Sequence, residues 1–64
     1  MKVTAVFPKE YAIKAGFSVS YSDYVLYYEL TGYVIDETPR GLFIRDDNHQ
    51  TRFIPTRFIT DIQD

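Results

Sequence analysis

A chain of 64 residues, 45% hydrophobic and 17% aromatic, is one small domain whose thin core must be filled efficiently. The absence of Cys excludes disulfides and thiolate metal sites, and the net charge of −2 argues against a general polyanion binder. No apolar run reaches the length of a membrane span, and the one that ends at Pro8 is too short for a signal peptide, so a soluble cytoplasmic protein is expected.

Residues 2–7 are rich in β-branched side chains and read as a first strand, closed by Pro8, which has no N–H for a ladder. Residues 9–16 read as a loop or a single helical turn. Phe17-Ser18-Val19-Ser20-Tyr21 alternates apolar with small polar residues, the pattern of a half-buried strand. Two readings compete over residues 24–31. Ser22-Asp23 would cap a short helix stopped by Gly32, with Tyr21, Tyr24 and Tyr28 at helical spacing. The run Tyr24-Val25-Leu26-Tyr27-Tyr28 instead favours a strand, with Leu26, Tyr28 and Leu30 sharing one face. The strand is the preferred reading.

Gly32 reads as a bulge or bend, and residues 33–37 continue extended. Thr38-Pro39-Arg40-Gly41 carries Pro early and Gly late, as a β-turn does. Residues 42–45 form a strand, Asp46-Asp47-Asn48-His49 a hairpin tip, and residues 51–54 the return strand. Pro55 breaks the sheet, residues 56–58 make a 3₁₀ turn, and residues 59–62 a last short strand. Five or six short strands in one domain, 1–64, predict an all-β, mainly antiparallel small barrel, since closure removes exposed edges. Ile35, Ile44, Ile54 and Ile59 are the expected core.

Side chains that could carry chemistry are few. His49 is the single histidine, and it sits with Asp46, Asp47 and Asn48 on a predicted hairpin tip, which cannot exclude water from a reaction. The same residues lack the ligand alternation and the Gly of a calcium loop. Asp36 and Glu37 read as a solvated strand end. Gly16, Gly32 and Gly41 are isolated, so no phosphate cradle exists. No catalysis, cofactor or metal is expected. Arg40, Arg45, Arg52 and Arg57 interleave with Phe43, Phe53 and Phe58. That is either a stacking surface for a single-stranded nucleic acid or simple strand alternation, with Arg outward and apolar residues inward. Six tyrosines in so small a domain cannot all be buried, because each hydroxyl needs a partner or water; some of Tyr24, Tyr27 and Tyr33 are expected at the surface.

The segment Ile54-Pro55-Thr56-Arg57-Phe58-Ile59 resembles the Ile-Pro-x-x-Tyr-Val closing motif of SH3 domains. The resemblance implies that Ile54 and Ile59 are core and that Pro55 and Phe58 line a groove. The wider stretch Tyr33-Val34-Ile35-Asp36-Glu37, Gly41-Leu42-Phe43-Ile44-Arg45-Asp46-Asp47 and Pro55-Thr56-Arg57-Phe58 is similar to small SH3-like barrels common in bacteriophages and prophages. It covers about half of the chain and implies fold better than function. The chain has no Trp and no Ala-Leu-Tyr-Asp-Tyr segment, with which SH3 domains build their proline-peptide groove.

Together these observations lead to a non-catalytic protein-interaction module, with the phage resemblance implying an accessory protein that binds and modulates, or inhibits, a host protein in the host cytoplasm. The expected partner surface is Tyr24, Tyr27, Tyr33, Pro55, Arg57 and Phe58. The alternatives are a nucleic-acid binder using the Arg/Phe half and a structural protomer that assembles through a sheet edge.

Overall fold

The computed structural model describes residues 1–19 and 24–63. The chain forms β1 (Lys2–Pro8), α1 (Lys9–Lys14), β2 (Tyr27–Thr38), β3 (Gly41–Arg45), β4 (Thr51–Pro55), a 3₁₀ turn (Thr56–Phe58) and β5 (Ile59–Gln63). All strand pairs are antiparallel, in one five-stranded sheet of order β4-β3-β2-β1-β5. No ladder joins β4 to β5 among the described residues, so the expected closure into a barrel is not part of the hydrogen-bonded sheet.

The core lies on one face of this sheet. Val3, Ala5 and Phe7 alternate inward along β1 and are at most 1% exposed; Ile44 and Ile54 are fully buried beside them. Leu30, Val34, Leu42, Phe58 and Ile59 pack around that cluster. The expected core positions Ile44 and Ile54 are therefore inside and Ile59 is half-buried, but Ile35 is 48% exposed. Strand phase is the reason. The β1–β2 ladder runs unbroken through Gly32, which pairs with Val3, so Leu30, Gly32 and Val34 share the inner face and Ile35 points out.

Gly32 is neither bulge nor bend. The irregularity of β2 falls later, between Val34 and Asp36 opposite β3. Gly32 instead marks a close approach: a Cβ there would lie 2.4 Å from the Arg45 carbonyl oxygen and 2.5 Å from Ile44 Cγ2. Its missing side chain is the space that Ile44 fills.

Residues 9–14, expected as a loop or one helical turn, form the short helix α1. Glu10 in its first turn and Lys14 in its last suit the helix dipole, and Ala12 is buried against the core. It ends in a Schellman motif: the Gly16 N–H donates to Ile13 O and the Phe17 N–H to Ala12 O, with Gly16 at φ 82°. Phe17 tilts onto Phe7, ring centroids 5.1 Å apart. The strand expected from Phe17 is absent over 17–19, because the chain leaves the helix to cover the core rather than to join the sheet; its last part, with Ser22-Asp23, falls outside the described residues. Beyond them the strand reading holds from Tyr27, and residues 24–26 are not helical.

Both hairpin turns use side-chain oxygens to hold backbone. Thr38 Oγ1 accepts from the Arg40 and Gly41 N–H groups at 3.2 and 3.1 Å and donates to Gly41 O. Asp46 Oδ1 accepts from the Asn48 and Gln50 N–H groups at 2.9 and 3.0 Å, while His49 takes the left-handed conformation at φ 61°.

Candidate protein-interaction surface

Because directly opposed residues of an antiparallel pair share a face, the register maps the outer face row by row. In one row Lys2 of β1, Tyr33 of β2 and Arg45 of β3 stand side by side, with Thr51 beyond on β4. The next row toward the Thr38 turn holds Phe43 opposite Phe53, rings edge-on at 5.2 Å, with Asp36 opposite Phe43 and Ile35 at the irregularity. In the other direction lie Thr4 and Thr31, whose hydroxyls are 3.2 Å apart, then Val6 with Glu29, then Pro8 with Tyr27.

Three of the expected site residues are strongly exposed: Tyr24 at 96%, Tyr27 at 66% and Tyr33 at 60%. Tyr27 and Tyr33 stand on one strand and one face. Tyr24 precedes that strand. The other three belong elsewhere. Phe58 is half-buried on the inner side, 4.8 Å from the Tyr11 ring and 6.2 Å from Phe7, and the Arg57 guanidinium lies 4.5 Å over its ring. Tyr11 reaches on to donate a hydrogen bond to Phe53 O, and the Thr56 N–H donates to Arg40 O, which fixes the turn against the β3–β4 end of the sheet. Arg57 is exposed and Pro55 half-buried. The turn and the sheet tyrosines thus lie on opposite sides, and a partner would have to reach around an edge to touch both.

Ile35 was expected in the core, and Phe43 and Phe53 were expected only as a stacking surface for a nucleic acid, not as part of the surface for a protein partner. The signal was available: alternation that sends Ile44 and Ile54 inward must send Phe43 and Phe53 outward. The two rings cover one another in part, leaving Phe43 half-buried and Phe53 37% exposed.

The arginines do not form one patch. Arg52 shares the inner face with Ile44, its guanidinium lying 4.4 Å over the Phe17 ring; its Nη2 donates to Gln50 Oε1 at 2.6 Å and its Nε stands 3.8 Å from Asp46 Oδ2. It closes the core at the hairpin-tip end. Arg45 is on the outer face, Arg40 in the Thr38 turn and Arg57 in the 3₁₀ turn. A cleft of about 530 Å³ opens beside Arg52, lined also by Phe17, Leu30, Asn48 and Gln50. His49 is exposed at the tip, and no group of His, Asp or Glu that could hold a metal ion occurs among the described residues. No described helix is long and apolar enough to cross a membrane. Set against known proteins, the chain matches no protein family, no curated protein and no solved structure.

Proposed function

We propose that the chain is a non-catalytic protein-interaction module, built as a small SH3-like barrel, that binds its partner on the outer face of the sheet around Tyr33. The strand order, with β1 between β2 and β5 and a 3₁₀ turn before β5, supports the barrel reading. The observation that carries the functional reading is the outer face itself. Tyr27, Tyr33, Ile35 and Phe53 stand between 37% and 66% exposed on strands of one sheet, and Tyr33 is paired on both sides, with Lys2 and with Arg45. Aromatics on a rigid sheet lose little side-chain entropy when covered, and they carry much of the energy of protein interfaces. The similarity of the second half to phage and prophage barrels extends the reading to an accessory protein that modulates, as an inhibitor, a host protein in the cytoplasm.

The test is affinity capture from bacterial lysate with the parent chain and with a Tyr33→Ser, Ile35→Ser variant, whose exposed positions leave the core intact. Mass spectrometry should find a protein retained by the parent and lost from the variant, with thermal melts of the two chains alike. If every protein retained by the parent is retained equally by the folded variant, the outer face is not the interface.

A further inference from the structure

We propose that the outer face recognises an acidic partner segment, one that places carboxylates beside apolar side chains. This rests on the interaction-module reading and gives the partner's chemistry. The chain has a net charge of −2, yet the register brings two cations, Lys2 and Arg45, to either side of Tyr33. Among the described residues neither makes an ion pair. Two residues along the strands, about 7 Å away, runs the apolar row of Ile35 and the Phe43–Phe53 pair. Three carboxylates share the face but stand outside the Lys2–Tyr33–Arg45 row: Asp36, one oxygen of which accepts from the Glu37 N–H, lies opposite Phe43, Asp61, which accepts from Gln63 Nε2, lies opposite Thr4, and Glu29 lies opposite Val6.

A cationic row beside an apolar row is complementary to a segment that alternates Asp or Glu with Leu, Ile, Phe or Tyr. The apolar side chains would cover Phe43, Phe53 and Ile35, and the carboxylates would stand over Lys2 and Arg45. Tyr33, between the cations, offers its ring to the former and its hydroxyl to the latter. A basic segment would meet Lys2 and Arg45 as like charges. A nucleic-acid strand carries a phosphate at every nucleotide, whereas this face offers its two cations in a single row.

The test is selection from a displayed random-peptide library on the immobilised full chain. Peptides recovered should be enriched in Asp and Glu next to apolar residues. A synthesised winner should bind a Lys2→Glu, Arg45→Glu variant about tenfold more weakly, equivalent to about 1.4 kcal/mol, and should weaken as salt shortens the screening length. Circular dichroism and melting confirm that the variant is folded. Winners without acidic enrichment, or winners indifferent to the charge reversal, overturn the proposal. So does a fluorescent oligothymidylate that binds the parent and displaces the peptide, which would favour nucleic acid. Winners that need Tyr33 and Ile35 but not the cations would leave the interaction module standing and remove only its charge preference. If neither peptides nor a captured protein depend on this face, both readings fall.

Discussion

Gly32→Ala is the substitution on which local and tertiary reasoning disagree in sign. Gly32 is extended in the middle of a strand, where Ala would restrict the unfolded chain and stabilise by about 0.4–1 kcal/mol if space allowed. The space is not there. The added Cβ would sit 2.4 Å from the Arg45 carbonyl oxygen and 2.5 Å from Ile44 Cγ2. Ile44 is fully buried, so its methyl has nowhere to go, and the carbonyl belongs to the neighbouring β3 backbone. Relief requires β2 and β3 to move apart where Tyr33 pairs with Arg45 and Val34 with Ile44. Overpacking of this kind costs on the order of 1–3 kcal/mol, against a total of about 3–10 kcal/mol for a domain of this length. Thermal unfolding by circular dichroism reads it directly, since each kcal/mol moves the midpoint by about 4–8 °C in so small a domain. A drop of about 5 °C or more is expected. Gly16→Ala is the control: nothing lies within 4 Å of its Cβ, and its φ of 82° leaves only backbone strain, about 1 kcal/mol. A Gly32→Ala protein that melts at or above the parent would refute the close packing of β2 on Ile44 and with it the phase that turns Ile35 outward.

Ile54→Ala should cost on the order of 2–5 kcal/mol, because Ile54 is fully buried, whereas Ile35→Ala should stay within about 0.5 kcal/mol; urea unfolding of both would expose an error if the two costs were similar. Asp46→Ala removes the acceptor of two turn N–H groups and the carboxylate beside Arg52, for an expected loss of about 1–3 kcal/mol, while His49→Gly should stabilise by up to about 1 kcal/mol by relieving the left-handed conformation; chemical denaturation of both variants checks the pair. Phe58→Ala should lower the melting midpoint, because the ring packs on Tyr11 and Phe7, whereas the exposed Arg57→Ala should leave it nearly unchanged. A Phe58→Ala chain as stable as the parent would make that ring free for a partner rather than part of the fold.

Much of the fold was legible from local rules because local rules act there. Pro8 and Pro55 each end a strand for want of an N–H, and the 3₁₀ turn follows Pro55 where expected. Thr38 and Asp46 announce their hairpins because their side chains satisfy turn backbone within a few residues. The identity of Ile44 and Ile54 as core follows from alternation in strands short enough to keep one phase. That some of Tyr24, Tyr27 and Tyr33 are exposed followed from the hydroxyl, which needs water or a partner; that all three are, while Tyr11 and Tyr28 pack on the core, did not.

Tertiary structure decided what depends on residues distant in the chain. Whether Gly32 bends the strand or admits a neighbour is set by Ile44, twelve residues on, and that choice fixed the phase that exposes Ile35. Strand phase turns Arg52 inward with Ile54, but the Phe17 ring and the Asp46 carboxylate that receive it there are brought up only by the folded chain. Phe58 and Tyr33 looked like members of one surface, and the sheet places them on opposite sides. The row Lys2–Tyr33–Arg45 is invisible to any sequence window, since it exists only where three strands meet in register. A strand's own residues dictate that its faces alternate; which face meets the core, and which side chains become neighbours across it, is settled only when the strands pair.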